Sequence, residues 1–241
     1  MTAAPADRPP GSPGGPVAVA FCPSPPLLLP AVEGRAVAET AALRRACREA
    51  VEAMLAVRPT VVVVVGDGVP DGVRYGQGDA GDLRGFGLDL EIAFFGRVRP
   101  GARRLPLAHT VGAWLLDEAG DAGARLGVGP ADLAGALGSL PGPVAVLAMG
   151  DGSARRTIKA PGYLDPAAEP FDAAVAAALA AGDAAALAGL DAAEGARLLA
   201  AGVPTWRAVG AALAGRPATA RLHSAEAPYG VGYLVADWHL R

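Results

Sequence analysis

The sequence predicts an α/β domain: a mostly parallel central sheet with helices on both faces. Three observations lead there. Val61–Val65 is an unbroken β-branched run, of the kind found in parallel strands covered on both sides. A short strand, an amphipathic helix and that run follow one another as the right-handed unit that opens such folds. A second apolar run, Val144–Met149, ends in the polar, glycine-broken loop Gly150-Asp151-Gly152-Ser153-Ala154-Arg155-Arg156, and open α/β sheets bind ligands at such strand ends.

Each element has its own signal. Residues 1–15 are rich in Pro, Gly and Ser, and a disordered tail is expected there, ahead of a single domain over 16–241. The apolar run 17–22 stops at Pro23-Ser24-Pro25-Pro26, a stiff loop with few backbone donors. Val37, Ala41, Leu43, Cys47, Val51, Met54 and Leu55 then recur at helical period, ending near Arg58-Pro59. Residues 66–87 hold eight glycines and no apolar period, so a long loop is expected. A strand is expected over 88–95, and a helix carrying Leu107, Val111, Trp114 and Leu115. Beyond Met149, Phe171, Val175, Ala178 and Leu179 share one helical face, and Asp191 with Glu194 resembles a reciprocal helix cap. Gly202 and Pro204 set off a last helix with Trp206, Val209 and Leu213, and strands are expected over 219–222 and 232–238.

Composition narrows the function. With 52% hydrophobic and 19% charged residues the chain can bury a substantial core, and a net charge of -3 offers no basic face to displace counterions from nucleic acid. No apolar run approaches the roughly 20 residues of a membrane helix, and the N-terminus lacks the pattern of a signal peptide. Two cysteines, Cys22 and Cys47, are too few for a disulfide framework, so a cytoplasmic protein is expected, with neither nucleic-acid nor membrane partner.

The candidate site residues cluster at the strand ends. Asp67 and Asp151 follow apolar runs and could converge with Ser24 and Ser153 to hold a hard cation such as magnesium; the alternative is that the aspartates cap local turns. Arg155, Arg156 and Lys159 bring three positive charges beside a turn, which suits a carboxylate or phosphate, or forms a solvated loop. His109, His223 and His239 have no partner at metal-ligand spacing, and only His109 is kept as a possible ligand to a relocated metal with Asp67 and Asp151. Cys22 ends a strand near this mouth but has no histidine near it in sequence, and Cys47 belongs to a helix's apolar face. Tyr163 and Tyr229 sit in turns where they could line a pocket or anchor a loop.

The blocks Cys22-Pro23-Ser24-Pro25-Pro26-Leu27-Leu28-Leu29-Pro30, Val61–Val65 with Gly66, Gly150-Asp151-Gly152-Ser153-Ala154-Arg155, Phe171-Asp172-Ala173-Ala174-Val175 and Ala227-Pro228-Tyr229-Gly230-Val231-Gly232-Tyr233 occur in an order that resembles the catalytic B subunit of class III extradiol ring-cleavage dioxygenases. That superfamily includes the Memo proteins. The likeness runs over nearly the whole chain and is greatest to an alanine-rich bacterial branch. It implies a ferrous ion held by two histidines and a glutamate, with a further histidine moving protons. The first histidine's position falls at Ser24, the second at Gly66 or Asp67, and the acid-base histidine's at Ala154. Neutral imidazoles with one carboxylate make the facial triad that leaves iron open to substrate and oxygen, so these replacements imply that the iron ligands are lost.

The leading expectation is therefore a dioxygenase-like protein without its iron centre, keeping a pocket for a small anionic ligand. Two others stand beside it: a metal-dependent oxidoreductase or hydrolase with a relocated site, and a non-catalytic partner-binding module, including pairing with a second copy.

Overall fold

The computed structural model describes residues 16–34 and 38–241; the tail expected over 1–15 and Val37 of the first helical stripe lie outside them. The fold is α/β, with a six-stranded, mostly parallel mixed sheet. Its strands are β1 (Pro16–Cys22), β2 (Val61–Val65), β5 (Ala124–Val128), β6 (Val144–Met149), β7 (Ala218–Glu226) and β8 (Tyr233–Leu240), in the spatial order β5-β2-β6-β1-β8-β7. β5, β2, β6 and β1 run parallel, while β8 is antiparallel to both β1 and β7. The two strands expected last form this antiparallel hairpin.

Alternate residues of the sheet enter two cores, as the pleat requires. Ala18, Ala20, Cys22, Val62, Val64, Leu147 and Met149 face one side, under α2 (Ala38–Leu55) and α3 (Leu107–Glu118). Val19, Phe21, Val63, Val65, Val146, Ala148 and Trp238 face the other, under α4 (Leu133–Ser139), α5 (Ala168–Ala181), α6 (Ala184–Ala188) and α8 (Val203–Ala212). Both faces of β2 are thus buried, which is why its five valines are consecutive. On the second face Trp238 packs edge-on against Phe21, at 4.9 Å between centroids, and donates its indole N–H to Leu179 O at 2.7 Å. A short α1 (Pro30–Glu33) precedes α2, and α7 (Ala192–Arg197) precedes α8. Asp191 caps α7 by accepting from the Ala193 and Glu194 N–H groups; Glu194 does not return the bond but pairs with Arg197.

The expected loop over 66–87 is more ordered than its glycines suggest. Tyr75 exchanges backbone bonds of 2.9 Å with Gly127, and β3 (Ala80–Asp82) pairs with β4 (Glu91–Ala93), a shorter strand than the span 88–95. Asp79 beneath them is buried and accepts from the Gly76 and Arg103 N–H groups and the Arg99 and Arg103 guanidinium groups. Burial pushes its carboxyl up, and those donors more than reverse the push, leaving it below the usual range.

The connections create a crevice. The chain leaving β1 crosses to α2 and that leaving β2 to α3, on one face; the chain leaving β6, which lies between them, reaches α5 on the opposite face. Neighbouring strands whose chains depart to opposite sides open a gap at their carboxyl ends, the usual ligand position in open α/β sheets.

Candidate functional site

The loop after β6 lies in that gap and is pinned from several sides. Gly150 N donates to Cys22 O (3.0 Å), Gly202 N to Asp151 O (2.7 Å), Gly152 N to Gly232 O (2.7 Å) and Gly232 N to Ser153 O (2.9 Å). Glycine is required where backbones meet: a Cβ on Gly150 would lie 2.3 Å from Gly202 Cα, with no flexible side chain to yield. Gly150→Ala is expected to lower stability by about 2–3 kcal/mol through this overlap, read as a lower urea midpoint at unchanged m-value.

The pinned loop presents Asp151. Its Oδ1 accepts the Ser24 N–H at 2.7 Å, across 127 residues of sequence. Pro23, Pro25 and Pro26 have no N–H, so Ser24 supplies the donor that this segment can offer. Burial pushes the Asp151 carboxyl up to about 6; the Ser24 N–H pulls it down, and the charge of Asp67 adds to the rise. Asp67, just past β2, is exposed at the rim, and partial desolvation also holds its carboxyl above the usual range. Tyr233 opens β8 beside them. The residue is 3% exposed, and burial first, then the charges of Asp151 and Tyr229, raise its phenol.

Next to this crevice is a cavity of about 550 Å³, bounded by Asp67 and by residues of α7, α8 and the turn between them: Ala192, Gly195, Ala196, Leu199, Ala200, Ala201, Val203, Pro204 and Arg207. Its wall is apolar apart from Asp67 and Arg207. The half-buried Arg207 donates Nη1 to Leu190 O and forms no ion pair among the described residues. Nothing in the sequence marked this wall, because alanines and leucines at helical spacing read as ordinary core.

Ser24, Asp67 and Asp151 are thus brought together, whereas Ser153 is turned away. Ser153 is buried, donating its hydroxyl to Leu198 O (2.8 Å) and its N–H to Asp172 Oδ1 (2.8 Å). The expected cationic cradle is largely spent inside the protein. Arg155 reaches Gly162 O, Arg197 O and Asp165; Arg156 pairs with Asp172 and Glu169; Lys159 is exposed. His109 is buried against Tyr75, Phe94 and Gly127, its Nε2 3.1 Å from Val128 O, and burial pushes its imidazole down to about 4. His223 and His239 flank Asp237, at 2.6 and 3.3 Å, on the β7–β8 hairpin. Cys22 and Cys47 are buried free thiols; contact with Cys22 and then burial raise the Cys47 thiol, which suits packing better than nucleophilic attack. Tyr163 and Tyr229 are exposed, and neither lines the cavity.

The residues at the positions where the resemblance would put the iron family's imidazoles do not fit a ferrous ion. Ser24 offers a hydroxyl and Ala154 no donor, and any side chain on Gly66 would begin 2.7 Å from Ala108 Cβ. Among the described residues no three His, Cys, Asp or Glu side chains are grouped to hold a metal, and Asp67, Asp151 and His109 do not form such a group. No helix among them is long and apolar enough to cross a membrane. No protein-family model matches the chain, and no curated protein matches it at a significant level.

Proposed function

We propose that the chain is a small-molecule-binding protein on a scaffold like that of the extradiol dioxygenase B subunit, acting without an iron centre, and that its ligand is an apolar carboxylate. The cavity beside the sheet's carboxyl end carries this reading. Its Ala, Leu, Val and Pro walls accept a hydrocarbon body, in a volume suited to a ligand of some ten to twenty non-hydrogen atoms. Arg207, which forms no ion pair among the described residues, supplies the counter-charge, and Asp67 accepts from a hydroxyl or amino group. The anion-binding role expected of Arg155, Arg156 and Lys159 passes to Arg207, because internal carboxylates neutralise the first two.

Titration calorimetry on chelator-treated protein, with phenylpyruvate as test compound, examines this reading. Binding is expected, and Arg207→Leu is expected to weaken it about 10-fold to 100-fold, the value of a hydrogen bond to a charged group. Equal binding by the variant, or binding that returns only with ferrous ion, would count against it.

A further inference from the structure

The cavity beside the sheet's carboxyl end is bordered by one acid and one base, and among the described residues neither has a counter-charge. Asp67 and Arg207 line the same cavity but are too far apart to pair with each other. Arg207 spends one guanidinium nitrogen on Leu190 O, which leaves donors for a ligand. The Asp67 carboxylate meets its own backbone N–H and no cation. A second carboxylate stands near it, since the charge of Asp67 helps to raise the Asp151 carboxyl. Negative charge therefore gathers at one side of the cavity and positive charge at Arg207. The rest of the wall is apolar, and Leu199 within it is 51% exposed, a large apolar surface that a hydrocarbon body would cover.

This arrangement discriminates among apolar carboxylates. With the carboxylate on Arg207, the group on the next carbon is the one offered to Asp67. A carbonyl oxygen there sets one acceptor against another, and a hydroxyl donates a single bond without cancelling charge. An ammonium both donates and neutralises, and a hydrogen bond between charged groups is about twice as strong as one between neutral groups.

We propose that the ligand of this cavity is an apolar α-amino acid, held as a zwitterion with its carboxylate on Arg207, its ammonium on Asp67 and its side chain against Leu199, Ala200 and Val203. The proposal rests on the binding reading above and narrows it. Charges on neighbouring carbons of the ligand leave its whole hydrocarbon body to the apolar wall. Because Asp67 stands at the rim, the gain from the ammonium is smaller than that of a fully buried pair.

The experiment is titration calorimetry near neutral pH with L-phenylalanine, L-phenyllactate and 3-phenylpropanoate, which share a body and a carboxylate and differ in the group offered to Asp67. Phenylalanine is expected to bind about 5-fold to 20-fold more tightly than 3-phenylpropanoate, with phenyllactate between them. Asp67→Asn is expected to cut the advantage of phenylalanine to under about twofold, while 3-phenylpropanoate, with no group for Asp67, loses no affinity. Arg207→Leu should weaken all three. The ligand comparison on the wild type stands independently of how the variants fold. Phenylalanine binding no more tightly than 3-phenylpropanoate or phenyllactate overturns the zwitterion proposal and leaves the binding reading standing. An advantage that survives Asp67→Asn overturns the proposal as well, and absence of binding by all three overturns both.

Discussion

Asp172→Ala is expected to lower unfolding free energy by about 2–3 kcal/mol, the cost of leaving the buried Ser153 N–H without an acceptor and taking from Arg156 the nearer of its two carboxylates. Asp172 lies on α5 with 3% of its surface exposed. Its carboxylate accepts the Ser153 N–H at 2.8 Å and Arg156 Nη1 at 3.1 Å. It fits because both neighbouring backbones are glycine: a Cβ on Gly152 would come within 2.7 Å of Oδ1, and one on Gly232 within 2.2 Å of Oδ2. One side chain therefore ties α5 to the loop that carries Asp151 and to the segment that carries Tyr233. Alanine would leave Ser153 N–H and the Arg156 guanidinium without that acceptor. Urea unfolding followed by the fluorescence of Trp206 and Trp238 measures the loss; a change under about 1 kcal/mol would show that the clamp is dispensable.

The second large effect has the opposite sign. Asp151→Asn is expected to stabilise the protein by about 2–3 kcal/mol above pH 7, and by almost nothing near pH 4. The folded carboxyl titrates at about 6, against an ordinary value of 3.8. Below the ordinary value the group is protonated in both states and contributes no penalty. Between the two values the unfolded chain releases its proton first, so stability falls as pH rises; above about 6 the full penalty remains. At about 1.4 kcal/mol per unit the shift amounts to roughly 3 kcal/mol, and asparagine escapes it while its carbonyl oxygen still accepts from Ser24. Thermal unfolding of both proteins from pH 4 to pH 8 measures the difference. Curves that stay parallel over that range would mean that Asp151 is an ordinary carboxylate.

How much of this was legible varies with the range of the interactions. β2 was readable because burial on both faces leaves five valines in a row. β5 was not, since Arg125 and Gly127 interrupt its pattern, each for a tertiary reason. Arg125 is a buried cation held by Asp117, Asp121, Phe94 O and Ala113 O. Gly127 leaves space for His109, Tyr75 and Phe94, whose nearest atoms would stand within 3.1 Å of a Cβ there. The site shows the same division. Asp67 and Asp151 could be located from strand ends alone, but the partner of Asp151 is 127 residues away in sequence. Arg155 and Arg156 read as free cations because the carboxylates that claim them, Asp165, Glu169 and Asp172, belong to the following turn and helix, whose packing the sequence does not display. Nothing in the sequence singled out Arg207, and the cavity beside it has no motif.

The most direct measurement is a crystal structure of chelator-treated protein grown with phenylpyruvate. The account predicts the phenyl ring among Leu199, Ala200 and Val203 and the carboxylate on Arg207, with no ion between Asp67 and Asp151. A transition-metal ion ligated in the crevice, or a ligand bound elsewhere with the cavity empty, would contradict it.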